Sequence, residues 1–241
     1  MSTPYKLVAA VFGASGGIGL ALTDALAERG AHVFAGSRSG AGFDSDAVTS
    51  FSFDLTDEAS IANAASIMRE TPPEVVLVTT GVLTLVDGSG PERTYRKLNP
   101  NVMEEVFRLN TIGPALIAKH MLPLLPRDKR CLFAALSARV GSISDNSLGG
   151  WHSYRASKAA LNMLIRNFAI ELSRTHKHAV VAGLHPGTVD SNLSKPFQTG
   201  LADGQLTEPA QAATNLLSVL DSLTASDTGK VFDWKGDVIP A

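Results

Sequence analysis

The chain has 241 residues, of which 44% are hydrophobic, and 21 Lys and Arg nearly balance 23 Asp and Glu. This length supplies a sizeable core, and the near-neutral charge argues against nucleic acid or an anionic membrane as a partner. One cysteine, a polar start at Met1–Lys6 and no apolar run of ~18–20 residues predict a cytoplasmic protein without disulfide, signal peptide or membrane span.

Short apolar runs alternate with longer helical patterns along the whole chain. In chain order the pattern predicts a strand at Leu7–Phe12, a helix at Ile18–Glu28, strands at His32–Ala35 and Ser50–Phe53, a helix at Asp57–Glu70, a strand at Val75–Val78, a loop at Asp87–Asn99, a helix at Asn101–Leu125, a strand at Arg130–Ala135, a helix at Trp151–His176, a strand at Ala179–Leu184, an irregular segment at Thr188–Thr207, a helix at Pro209–Ser222 and a strand at Val231–Phe232.

Repeated strand–helix alternation predicts an α/β fold with a doubly wound (Rossmann) parallel sheet. We expect about seven strands with helices on both faces. No linker or repeat interrupts the pattern, so residues 1–241 are predicted to form one domain. Ligands bind such sheets beyond the carboxyl ends of the strands, and the chemistry is expected in the loops there.

A glycine-rich loop, Gly13-Ala14-Ser15-Gly16-Gly17-Ile18-Gly19, follows the first strand and opens the first helix. Glycines allow a tight turn and a close backbone approach, and the free N–H groups of a helix start bind pyrophosphate. A loop of this kind in this context predicts a dinucleotide site, although glycine-rich turns also serve packing alone.

The residues after the second strand bear on the choice of nucleotide. NAD enzymes usually place an acid there for the ribose 2′-hydroxyl, but this chain has Ser37 and Arg38, and its first acid is Asp44. Ser37 and Arg38 are suited to a 2′-phosphate, which a carboxylate would repel. The sequence therefore favours NADP(H) over NAD(H), with a solvated surface arginine as the alternative.

Tyr154 and Lys158 are four residues apart on a predicted helix and share one face. A free tyrosine has a pKa near ~10, and a neighbouring cation is expected to lower the pKa of Tyr154. Tyr154 would then exchange a proton with an alcohol or ketone oxygen. The spacing alone is a weak signal, but together with the glycine loop it indicates catalysis.

Together these motifs resemble the short-chain dehydrogenase/reductase family over nearly the whole chain, with a bacterial C-factor-like or carbonyl-reductase-like branch as the nearest subgroup. The resemblance implies that Asp54 meets the adenine, that Asn110 is a catalytic-site asparagine holding a backbone carbonyl, and that His185–Ser191 is the turn at the nicotinamide. The complete set of cofactor-binding residues expected on these grounds is Gly13, Ser15, Gly16, Gly17, Ile18, Gly19, Ser37, Arg38, Asp54, Leu55, Gly81, Tyr154, Lys158, Pro186, Gly187, Val189 and Ser191.

The chain departs from the family pattern at the catalytic serine. Alignment on Gly141 places Ala138 at the usual serine position, with Ser137 as its neighbour. Neighbouring strand residues point to opposite faces, so Ser137 would serve only if the strand end is twisted. Ser137 is the chosen catalytic hydroxyl, and Ser142 and Ser144 remain alternatives. A second departure is Val78-Thr79-Thr80-Gly81, which stands where the family has Asn-Asn-Ala-Gly.

These observations predict an NADP(H)-dependent oxidoreductase that interconverts a ketone or aldehyde and an alcohol. Tyr154 would be the acid/base, with Lys158, Ser137 and Asn110 as the other catalytic residues and no metal. Two alternatives are a nucleotide-binding sensor with little turnover, which Ala138 favours, and another glycine-rich α/β enzyme such as a methyltransferase. A small-molecule substrate, a lid at Asn192–Leu206 and, by resemblance, a homodimer or homotetramer are also expected.

Overall fold

The structure is a computed structural model that describes residues 7–40, 42–202 and 204–241. The polar stretch Met1–Lys6 and Asp203 of the predicted lid lie outside the described residues. In chain order its strands are β1 (Leu7–Phe12), β2 (Ala31–Ser37), β3 (Val48–Ser52), β4 (Val75–Val78), β5 (Cys131–Leu136), β6 (Ala179–His185), β7 (Thr188–Val189), β8 (Leu206–Thr207), β9 (Val231–Asp233) and β10 (Val238–Ile239). Its α-helices are α1 (Gly17–Glu28), α2 (Glu58–Ile67), α3 (Pro100–Phe107), α4 (Gly113–Met121), α5 (His152–Leu172) and α6 (Pro209–Ser222).

Eight of the strands form one sheet in the order β10-β9-β6-β5-β4-β1-β2-β3. Neighbouring pairs are parallel except β9 and β10, so the predicted doubly wound fold is confirmed and only its edge strand differs. The sequence pattern missed β10 because two residues show no alternation. For the same reason it read Thr188–Thr207 as irregular, although β7 and β8 pair at its two ends.

Helices cover both faces of the sheet. Side chains of β1 alternate between the two layers: Val8, Ala10 and Phe12 pack toward α4 and α5, while Ala9 and Val11 pack toward α1 and α6. A strand buried on both faces must be apolar at every position, which explains the uninterrupted apolar run at Leu7–Phe12.

The predicted helix Asn101–Leu125 is confirmed as one helical stretch, but it is not α-helical throughout. A π-helical turn, Arg108–Ile112, separates α3 from α4. Pro114 lies at the start of α4 and has no N–H to donate to the carbonyl four residues earlier, so the turn there widens. The π-helical turn matters because the buried Asn110 lies within it.

The sheet order reverses between β1 and β4, which are neighbours although β2 and β3 follow β1 in sequence. Such a switch point leaves a crevice at the carboxyl ends of the strands. There α1 packs directly on the glycine turn: a Cβ on Gly19 would lie 2.1 Å from the carbonyl oxygen of Gly13. Among the described residues no helix has the length and apolar character needed to cross a membrane.

Candidate active site

A cleft of about 800 Å³ opens at the carboxyl ends of β1, β4, β5 and β6. Three cationic residues line it, Arg38, Arg139 and Lys158, and no Asp or Glu within the described ranges does. Most of the predicted cofactor residues line it: Ser15, Gly16, Gly17, Ile18, Gly19, Arg38, Gly81, Tyr154, Lys158, Pro186, Gly187, Val189 and Ser191. Arg139 is paired with Asp145 and Asp233, which do not line the cleft, so Arg38 and Lys158 are the charges that suit an anionic ligand such as a dinucleotide.

The start of α1 forms the floor of the cleft at one end. The helix begins at Gly17 without a side-chain cap, so its first N–H groups are available to a ligand. Gly13 has a different role, since its N–H donates to the Gly36 carbonyl and its φ is +101°. A Cβ on Gly13 would lie 2.7 Å from Thr79 Oγ1, so this glycine shapes the turn rather than lining the cleft.

Three predicted cofactor residues do not line the cleft with their side chains. The Ser37 hydroxyl is buried and accepts from the Gly40 N–H at 3.1 Å, closing its own turn. Leu55 is buried against α4, where a Cβ on Gly113 would lie 2.4 Å from its Cγ. Asp54 is exposed, and its Oδ1 accepts from the Thr56 N–H and hydroxyl. Of the Ser37 and Arg38 pair proposed for a 2′-phosphate, only Arg38 therefore reaches the cleft.

Tyr154 and Lys158 are buried side by side on α5 and both line the cleft. Lys158 Nζ lies 5.8 Å from the centre of the Tyr154 ring and donates to the Leu136 carbonyl at 2.8 Å. Burial raises the pKa of Tyr154 to about 12 and lowers the pKa of Lys158 to about 8. The expectation that Lys158 lowers the tyrosine pKa was wrong for the chain alone, because desolvation disfavours both charged forms.

Asn110 joins the loop after β4 to α5. Its Oδ1 accepts from the Val82 N–H at 2.8 Å, and its Nδ2 donates to the Val82 carbonyl at 2.9 Å and to the Ser157 hydroxyl at 3.2 Å. A Cβ on Gly81 would approach Asn110 Oδ1 at 3.3 Å and Lys158 Nζ at 3.5 Å. Asn110 therefore positions the loop beside Lys158 and does not itself line the cleft.

The three candidate hydroxyls are all engaged within the protein. Ser137 Oγ donates to Asn162 Oδ1 at 2.5 Å, and Ser144 Oγ donates to the Ala241 carbonyl. Ser142 is buried and accepts from the Asp145 N–H. A hydroxyl has one proton, so Ser137 cannot donate to a substrate oxygen while it holds Asn162. At the usual serine position the methyl group of Ala138 packs in the cluster that contains Tyr154.

His185, at the end of β6, also lines the cleft. Its Nδ1 is buried without a hydrogen-bond partner within the described part of the protein. Burial lowers the pKa of His185 to about 4, and the nearby Arg139 acts in the same direction. The imidazole is therefore neutral at pH 7 and adds no charge to the cleft.

Sequence reasoning missed Glu92, which holds the start of α5. The buried carboxylate accepts from the Ser153 N–H at 3.0 Å and from the Ser153 hydroxyl, while the Glu92 carbonyl accepts from the Trp151 N–H at 2.5 Å. A lone acid in a polar loop gives no signal of such a role. The sequence does show one sign of this turn, the glycine pair Gly149-Gly150 directly before Trp151, and both glycines have positive φ.

The sequence matches the short chain dehydrogenase family over residues 7–202. The chain is 31% identical over 224 residues to 1-hydroxy-2-glutathionyl-2-methyl-3-butene dehydrogenase of Rhodococcus sp. (strain AD45), covering 91% of this chain and 93% of that one. It is 33% identical over 138 residues to C-signal of Myxococcus xanthus, covering 57% and 78% of the two chains.

Among solved structures, an NADPH-bound carbonyl reductase from chicken fatty liver superposes with a TM-score of 0.83 at 25% identity, covering 100% of this chain and 96% of that one. The fold, the glycine loop and the family match agree. The chain belongs to the short chain dehydrogenase family and is an NAD(P)-dependent oxidoreductase. No group of three or more His, Cys, Asp or Glu in the described ranges is placed to hold a metal ion.

Proposed function

We propose that the protein is an NADP(H)-dependent oxidoreductase that reduces a ketone or aldehyde to an alcohol, with Tyr154 as the proton donor. One observation carries this proposal: a buried tyrosine and lysine, side by side, form part of the wall of a cleft that holds cations and no carboxylate among the described residues. The chicken carbonyl reductase, which binds NADPH, has the same fold and supports the choice of cofactor.

The residues present fit the cofactor. The uncapped start of α1 would bind the pyrophosphate, Arg38 the 2′-phosphate, and Lys158 the nicotinamide ribose. Gly187, with φ +78°, lets the turn after β6 pass the Trp234 ring, which a Cβ would meet at 3.1 Å. That turn would hold the nicotinamide end. The chemistry that bound NADPH supplies is a hydride, which becomes the new C–H bond while the cofactor is oxidised to NADP⁺.

Tyr154 supplies the other half of the reduction. Its raised pKa keeps the phenol protonated at pH 7, so it can donate a hydrogen bond to the carbonyl oxygen and then its proton to the forming alcohol. The phenolate left behind would be stabilised by the adjacent Lys158 when that amine is protonated.

Ala138 favours a second candidate function, a nucleotide-binding sensor with little turnover. Its methyl group occupies the position where the family resemblance implies a serine that orients the carbonyl. One relative by sequence, C-signal of Myxococcus xanthus, carries a name that refers to a signal rather than a reaction. The two candidates differ in one measurable quantity, the rate of NADPH oxidation with a carbonyl substrate.

Cofactor preference tests the role of Arg38. The parent protein should bind NADPH more tightly than NADH, and Arg38→Asp should weaken NADPH binding by on the order of 10-fold or more, because it replaces attraction to the 2′-phosphate by repulsion. Fluorescence titration with both cofactors measures this. Arg69→Asp, the same charge change at an exposed residue outside the cleft, is the control. Equal affinity of the parent for both cofactors would contradict the assignment.

Tyr154→Phe tests the proton donor. The ring stays, so the fold and NADPH binding should persist, while turnover in a screen of aldehydes and ketones should fall by on the order of 100- to 10,000-fold. Lys158→Met should lower both turnover and cofactor affinity, and the two losses need not add because the residues act as a unit. A Tyr154→Phe protein that keeps near-parent turnover would refute the mechanism.

Ala138→Ser separates the enzyme from the sensor. A serine here would place a hydroxyl beside Tyr154, and a preorganised donor to a developing oxyanion is worth about 100-fold in kcat. We expect measurable NADPH-dependent turnover in the parent and a faster rate in Ala138→Ser. Ser137→Ala, which removes a hydroxyl already bonded to Asn162, should change kcat far less. A parent without turnover that gains it only through Ala138→Ser would favour the sensor.

A further inference from the structure

The residues that pack around the Tyr154 ring form an apolar wall. Its members, all lining the cleft, are Leu83, Ala138, Val140, Trp151 and Phe197. Arg139 follows Ala138 but is already paired with Asp233 at 2.9 Å and Asp145 at 3.3 Å. A charged substrate group would lose its hydration at this wall without gaining a counter-ion there, whereas an apolar group would pay no such desolvation cost.

Trp151 has an unusual backbone conformation within this wall. Its φ and ψ are 50° and 42°, and no other non-glycine residue in the described ranges has a positive φ. The left-handed conformation is unfavourable for a side chain with a Cβ. A conformation of this kind, found beside an active site, indicates a functional constraint on where the side chain points.

The neighbouring residues hold Trp151 in that conformation. Its N–H donates to the Glu92 carbonyl at 2.5 Å, and the Glu92 carboxylate binds Ser153 two residues later. Gly149 and Gly150 precede it with φ of 64° and 67°, so the chain enters the strained residue already in the left-handed region. The turn is therefore fixed from both sides.

The result is a defined aromatic arrangement. The Trp151 ring lies edge-on to Tyr154, with centroids 6.2 Å apart and an angle of 75°, and tilted against Phe197, with centroids 5.2 Å apart. Trp151 thus connects the proton donor to the segment after β7. Aromatic rings recognise other rings by offset or edge-to-face contact, beyond the effect of buried area alone.

We propose, on the basis of the function proposed above, that the substrate carries its carbonyl on a flat aromatic ring and that Trp151 is the residue that selects it. The ring would pack against Trp151 and Phe197 while its carbonyl oxygen meets the Tyr154 hydroxyl. The methyl group of Ala138 leaves the wall apolar at the position where a serine hydroxyl is usual.

A matched pair of aldehydes tests this. We would measure kcat/KM with NADPH for benzaldehyde and cyclohexanecarbaldehyde, and compare the ratio between proteins so that intrinsic reactivity cancels. Trp151→Gly and Trp151→Asn remove the ring at a φ that both residues tolerate, so at least one should fold. Each should lower the ratio by roughly 3- to 10-fold, the usual worth of an aromatic contact. Trp151→Phe should retain most of the preference.

Tyr95→Ala, which removes an exposed aromatic ring outside the cleft, is the control and should leave the ratio unchanged. An unchanged ratio in folded Trp151→Gly or Trp151→Asn, with both aldehydes reduced, would overturn the aromatic preference and leave the proposed function intact. If the parent reduces neither these two aldehydes nor any aldehyde or ketone of the wider screen, the proposed function fails. Calorimetric binding of benzyl alcohol against cyclohexylmethanol, in the parent and in Trp151→Gly, would then decide the preference without turnover.

Discussion

The burial of Lys158 next to Tyr154 is the constraint on which the site depends. A buried amine requires a hydrogen-bond acceptor, and the Leu136 carbonyl, the last of β5, supplies it at 2.8 Å. That bond ties α5 to the sheet edge where the cleft opens. From the other side the π turn binds the same stretch of α5, because Thr111 Oγ1 donates to the Ser157 carbonyl at 2.8 Å. The Tyr154–Lys158 pair is therefore fixed by the fold on both sides.

The same burial decides the protonation states. Desolvation keeps the phenol of Tyr154 neutral and brings the pKa of the Lys158 amine close to physiological pH. A neutral phenol can donate a proton, as the role proposed for Tyr154 requires. Around this pair the cleft divides by chemistry: Arg38 and the uncapped amides of α1 lie at one end, and an apolar aromatic wall lies at Trp151 and Phe197.

Much of the fold and the site was predictable from the sequence. Apolar runs located the central strands β1, β4, β5 and β6, because strands covered on both faces must be apolar throughout. The edge strand β3 is half exposed and mixes polar with apolar residues. The glycine loop and the Tyr154–Lys158 pair, both identified from the sequence, line one cleft in the structure. The pKa direction of Tyr154 was not predictable, since it depends on burial that spacing does not reveal. Ser37 and Ser137 were chosen by position, yet hydrogen bonds to Gly40 and Asn162 occupy their hydroxyls.

Other features lay beyond any local pattern. The π-helical turn at Asn110 follows from Pro114, but the hydrogen bonds between Asn110 and Val82 depend on tertiary packing. The hydrogen bonds between Glu92 and Ser153 join residues that are 61 apart in the sequence. The sequence alone does not distinguish a pocket role from a core role for Trp151, whereas its place in the cleft wall and its backbone conformation, held by Glu92, do. Long-range contacts of this kind decide where a side chain points, and they cannot be predicted from a single sequence.

The protonation state of Tyr154 is the most direct test of the proposed proton donor. The protein can be labelled with ¹³C at the tyrosine phenolic carbon, with Tyr154→Phe identifying the signal, and titrated by NMR without cofactor. We predict that Tyr154 keeps the chemical shift of a neutral phenol past pH ~10, the ordinary pKa of tyrosine, because burial raises its pKa to about 12. Ionisation of Tyr154 at or below neutral pH would contradict this role, since the resting side chain would then be a base rather than the proton donor.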